Sequence, residues 1–166
     1  MIYACLRFLQ EWHSPLTVLN FALLGLASGL TLAAALERSF TLAAIVATLA
    51  AGAGRIASLA RNARLRPRSS LQSAIGIKHP RIAQKAQGAI AGSFNTREFF
   101  HGRGPLALRN VKWLALLGAF AVPAALLLAG LPAAAFIVQF SGLVAERWFF
   151  FAQANHPQNL YYQVVS

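Results

Sequence analysis

The chain has 166 residues, of which 57% are hydrophobic and only 11% charged. A soluble domain carries about 25% charged residues, so this composition excludes an ordinary soluble protein and points to a membrane one. The net charge of +11 sits beside apolar blocks, where Lys and Arg serve topology and anionic headgroups. The partner it implies is a lipid bilayer, and no nucleic acid is expected.

Residues 1–14 read as the tail of a helix whose beginning is absent, with Ile2, Tyr3, Leu6 and Leu9 on one face. No basic n-region followed by an apolar h-region marks a cleavable signal peptide. Trp12 suits a membrane interface. The first span is residues 15–36, which hold no charge and begin with a proline that a helix start tolerates. Such a length covers roughly 30 Å, one hydrocarbon core. Gly25 and Gly29 make a G-x-x-x-G pair, expected to pack within the bundle. After a tight turn at Glu37-Arg38-Ser39, the second span is residues 40–60. Its one charge, Arg55, is expected to snorkel to the headgroups, the alternative being a functional role.

Residues 61–112 form a basic connecting segment. Arg61, Arg64, Arg66, Arg68, Lys78, Arg81, Lys85, Arg97, Arg103, Arg109 and Lys112 face a single acid, Glu98. Residues 71–77 and 82–90 read as short interfacial helices, and His79-Pro80 as a turn. Asn95 with Glu98 three residues on has the form of a capping box. The third span is residues 106–129, with Pro123 as a kink where neighbours re-satisfy the backbone. The fourth, residues 132–152, follows the Gly130-Leu131-Pro132 turn.

The fold expected is an all-α integral membrane protein, about four transmembrane helices arranged as two hairpins joined by the basic segment. The whole chain then makes a single membrane domain. Both termini and the basic segment share a side. Because that side holds nearly all the Lys and Arg, the positive-inside rule puts it in the cytoplasm.

Glu146 is the sharpest chemical candidate. Ending the fourth span near Phe151 puts its carboxylate about 7–8 Å inside the apolar core. Two readings stand side by side: an intramembrane acid with a function, and an ion pair at a helix end. Arg147 points about 100° away round the helix and is not its expected partner. The histidines at 13, 79, 101 and 156 all fall outside the spans, which leaves no facing pair for a membrane haem. Any of them is placed to exchange protons at the interface. The single cysteine, Cys5, excludes a disulfide within the chain, a cysteine-based zinc site and an iron–sulfur cluster. No metal ligand set, hydrolase motif or kinase motif is present.

Three stretches together resemble one family. They are Ile2-Tyr3-Ala4-Cys5-Leu6-Arg7 through Trp12 and Pro15-Leu16-Thr17, Ser70-Leu71-Gln72 through Phe99, and Glu146 through Tyr162. The chain is similar along its length to anchor subunits of dimethyl sulfoxide reductase. These belong to a broader group of polysulfide- and nitrite-reductase-type membrane subunits. The resemblance implies a non-catalytic anchor in a bacterial cytoplasmic (inner) membrane, working in anaerobic respiration. It would bind menaquinol and pass its electrons to a four-cluster iron–sulfur subunit, which feeds a molybdopterin catalytic subunit. It also implies that the chain matches only the carboxyl-terminal half of an anchor. On this reading the quinol-site candidates are Glu146, Arg147, His79, His101 and Arg7. Arg97, Glu98, Phe99 and Arg81 are the candidates for docking the partner. The alternatives are a small structural or assembly membrane protein whose basic loop binds anionic lipid, and a truncated anchor without function.

Overall fold

The computed structural model describes residues 2–66, 68–83 and 105–157. Among them every regular element is helical. A short helix α1 (Ile2–Cys5) leads into a series of turns. Ser14 caps α2 (Pro15–Leu36): its hydroxyl accepts from the Leu16 amide, and Pro15 occupies the first helical position, where no N–H is needed. A 3₁₀ turn (Arg38–Phe40) reverses the chain into α3 (Thr41–Asn62). Beyond it, α4 (Leu71–Ile75) is held by a capping box between Ser70 and Ser73. The second hairpin comprises α5 (Pro105–Leu116), a π-helical segment (Leu117–Ala121), α6 (Val122–Leu128) and α7 (Pro132–Ala152). Gly130 turns the hairpin with a φ of +76°, a left-handed conformation that glycine adopts without strain.

Among the described residues, four helical stretches are long and apolar enough to cross a membrane: Pro15–Leu36, Arg38–Asn62, Leu106–Leu128 and Pro132–Ala152. The protein is therefore a multi-pass membrane protein. Helix α2 packs on α3 and α7, and α3 packs on α6. Large apolar side chains such as Leu26, Leu42, Leu114, Ile137 and Val144 point outward, as lipid requires.

The inner faces are built from small residues. Ala27, Ala47, Ala51 and Ala119 meet in the middle of the bundle. Close approach replaces hydrophobic driving force inside a bilayer. It is tightest between the two arms of the second hairpin, where a Cβ added to Gly142 would collide with the Gly118 carbonyl carbon. The expected packing role of Gly25 and Gly29 is corrected here. Both are exposed, and a Cβ at either would meet nothing within 4 Å. Their spacing was right for close packing, but α2 turns its Thr17, Asn20, Leu24, Ala27 and Thr31 face inward instead.

Pro123 has no N–H for the carbonyl four residues earlier, that of Ala119. The chain widens into the π turn there, and Gln139 of α7 donates to the Ala119 oxygen at 3.3 Å. The same amide nitrogen donates to Thr48 Oγ1 at 3.2 Å, joining three helices. The neighbour that re-satisfies the proline's backbone is thus a buried glutamine.

The amino-terminal segment lies across one end of the bundle. Its helix is only four residues long, and Ile2 points outward, away from the face expected to include it. Tyr3 and Leu6 still pack around the buried Leu9, Trp12 and Phe150. Trp12 is buried by the protein: it stacks on Phe150 at 5.0 Å and donates its indole N–H to the Phe150 carbonyl at 3.1 Å. Arg61 clamps the segment down by donating to the carbonyls of Gln10 and His13 at 3.0 and 3.3 Å. Glu11 accepts from the Asn155 side chain at 3.0 Å. These contacts gather the amino segment, the start of the basic segment and the end of α7 at one polar end.

Gly142→Ala should therefore overpack the hairpin and cost about 1–3 kcal/mol, read by unfolding in mixed detergent micelles. Gly25→Ala and Gly29→Ala should leave the same measurement unchanged or slightly raised, by up to about 1 kcal/mol.

Candidate functional site: a buried ion cluster at the polar end

Helix α3 buries Ala44, Ala47, Thr48, Ala51, Arg55 and Ser58, a stripe with helical i, i+3, i+4 spacing. Arg55 is on that stripe and is only 3% exposed. It stands seven residues before the end of α3, about 10 Å along the axis. Glu146 faces it from α7, six residues or about 9 Å from that helix's end, and is 1% exposed. Arg55 Nε lies 2.9 Å from Glu146 Oε1.

The other carboxylate oxygen is taken by Arg147, whose Nε donates to Glu146 Oε2 at 2.6 Å and whose Nη2 reaches the same oxygen. Aromatic faces hold both guanidiniums. Arg147 lies 4.1 Å from the Phe21 ring and 4.9 Å from Phe150, and Arg55 lies 5.7 Å from Phe149. Such placements are favourable for a cation removed from water.

Two sequence expectations are corrected by this cluster. Arg55 does not snorkel outward, because a buried carboxylate offers it a better partner than headgroups would. Arg147 is a partner of Glu146 in cis: its Cα direction diverges, yet its long side chain curls back, steered by the two phenylalanine rings. The expectation that Glu146 needs a partner on another helix is met by Arg55.

The remaining candidates are elsewhere. Arg7 is exposed on the amino segment. His79 and Arg81 share a local turn, with His79 Nδ1 3.0 Å from the Arg81 amide nitrogen, and neither bonds to the cluster. Arg97, Glu98, Phe99 and His101, with the capping box expected at Asn95, lie outside the described residues. The other histidines are peripheral. His13 Nδ1 is 2.8 Å from the Ala4 carbonyl, while His156 meets Phe8 edge-on, and burial pushes its imidazole below the ordinary histidine range.

Sequence reasoning held a functional role for Arg55 only as the alternative to snorkelling, and it passed over Asn20 and Glu11. Asn20 is 5% exposed and donates to Ser58 Oγ at 2.6 Å, beside Arg55. The usable signal was positional. Asn20 and Arg55 fall on the same helical faces as the small residues, and such faces turn inward in a membrane bundle. Glu11 carried no such signal, since its place depends on the fold of a non-helical segment.

In comparison with known proteins, the whole chain is similar to one subunit of the sulfite dehydrogenase of Allochromatium vinosum, at 51% identity. The chain spans 56% of that relative's length. No family model matches the chain, and no solved structure matches it.

Arg55→Met should cost roughly 3–5 kcal/mol, because it strips a buried carboxylate of one of its two cations. Pairing it with Glu146→Gln should return part of that loss, and the double-mutant cycle should give a coupling of about 0.5–3 kcal/mol. Strict additivity in detergent unfolding would show that the two side chains do not interact.

Proposed function

We propose that this chain is the membrane subunit of an oxidoreductase complex and exchanges electrons between a membrane quinone and a partner iron–sulfur subunit. That partner connects to a molybdopterin catalytic subunit, as in the dimethyl sulfoxide reductase type. The observation that carries this reading is the 51% identity of the entire chain to a subunit of a sulfite dehydrogenase. The single cysteine supports it further, because a chain without a cysteine set must leave iron–sulfur chemistry to another subunit.

A dehydrogenase takes electrons from its substrate, so the relative's name favours sulfite as donor and quinone as acceptor. Sulfite and water then give sulfate, two electrons and two protons. Menaquinone takes up two electrons and two protons to become menaquinol. The dimethyl sulfoxide reductase resemblance favours the opposite direction, with menaquinol oxidised.

The chain's part in either direction is to hold the quinone head and manage charge beside it. Arg147 suits the first task. Its side chain is 31% exposed, whereas Arg55 and Glu146 are sealed inside, so it is the member of the cluster that a quinone oxygen can reach. Glu146 keeps that guanidinium aimed. His79 and His101 are assigned to proton exchange, and Arg7 to holding a quinone oxygen or the partner subunit. Arg81, with Arg97, Glu98 and Phe99, is assigned to docking the iron–sulfur subunit.

Coexpression with iron–sulfur and catalytic subunits tests the proposal. The partners should be retained on membranes, and those membranes should reduce menaquinone when given sulfite. Menaquinol-driven reduction of dimethyl sulfoxide instead would fix the reverse direction. Loss of both activities and of retention would leave the lipid-binding structural reading in its place.

The reading also puts the polar end on the cytoplasmic side of a bacterial inner membrane. Cys5 is exposed there and is the chain's one cysteine. A membrane-impermeant thiol reagent should label it in inverted vesicles and not in intact spheroplasts.

A further inference from the structure

Beside the ion cluster, a narrow polar crevice lies between α2, α3, the end of α7 and the amino segment, lined among others by Glu11, Asn20, Arg55 and Arg147. The first three each contribute one buried polar atom without a hydrogen-bond partner in the protein: Glu11 Oε2, Asn20 Oδ1 and Arg55 Nη2. Asn20 and Arg55 are 5% and 3% exposed, so bulk water does not serve them. Leaving such atoms unpaired costs about 1–3 kcal/mol each, and more for a charged group.

The three atoms have a specific complement. Glu11 and Asn20 present acceptors, and Arg55 presents a donor. One neutral oxygen carrying two hydrogens and a lone pair satisfies all three. An anion there would face the Glu11 carboxylate, and a cation would face Arg55 and Arg147. The crevice holds about 10 Å³, close to the room that one water needs.

We infer that this crevice is a binding site for a single structural water, which donates to Glu11 Oε2 and Asn20 Oδ1 and accepts from Arg55 Nη2. The water fixes the second end of the Arg55 guanidinium whose Nε faces Glu146. It also ties Glu11 of the amino segment, and through it Asn155, to the two helices beneath. The inference stands apart from the proposed function, since it needs no partner subunit and no quinone.

The test is infrared spectroscopy of the full chain in quinone-free synthetic phospholipid, comparing H₂¹⁶O with H₂¹⁸O. A buried water should give an O–H stretch that moves with the isotope. Asn20→Leu should abolish that band, because it removes one acceptor and fills the space. Glu11→Gln keeps the shape and an acceptor oxygen at the crevice rim, so it should shift the band without removing it. If Asn20→Leu does not fold, the Glu11→Gln shift carries the test alone. A band unmoved by the folded variants would overturn the assignment. So would a band that arises only after quinone is added, which would identify a quinone-derived hydroxyl instead.

Discussion

A carboxylate inside a membrane bundle has to be matched by positive charge, and most of this structure can be followed outward from that constraint. Glu146 is satisfied from two directions at once, by Arg55 across the bundle and by Arg147 beside it. Those two guanidiniums then need support. Phe21, Phe149 and Phe150 supply aromatic faces, and the amino segment, clamped by Arg61, closes the end over them. A buried pair of this kind is poor evidence for stability, since desolvation offsets much of its attraction.

The apolar half of this architecture was open to a reader of the sequence. Twenty-residue apolar blocks with few charges identify spanning helices because lipid permits few other structures. Pro123 announced an irregularity within one of them. What the blocks did not convey was rotation. Gly25 and Gly29 have the spacing of a packing motif yet face outward, while Arg55, the residue expected to reach for headgroups, faces inward. Rotation depends on which faces meet across the bundle, and apolar composition alone is nearly blind to it. The mixed small and polar stripe through Ala51, Arg55 and Ser58 was the sign that would have resolved it. Contacts of the amino segment were less accessible still. Trp12 and Glu11 occupy their places because distant parts of the chain, Phe150 and Asn155, come to them.

Positions of chemistry and of lipid contact are cleanly separated. The outer surface of the spans carries leucine, isoleucine, valine and phenylalanine, whereas the buried charges, Arg55 and Glu146, lie toward one end. Arg147 connects the two regions, with its carboxylate partner buried and part of its own side chain exposed. On the proposed reading, a quinone arriving through the bilayer would meet a cation whose direction is already set, so little reorganisation would accompany its binding.

The backbone contact between Gly118 and Gly142 has a mechanical meaning of its own. Gly142 lies one helical turn before Glu146 and three residues after Gln139, all on the buried face of α7. Any side chain added at the contact would force the two arms of the hairpin apart, so these glycines set how closely α7 approaches its neighbour. The spacing of the second hairpin is thus fixed by two residues that carry no side chain at all.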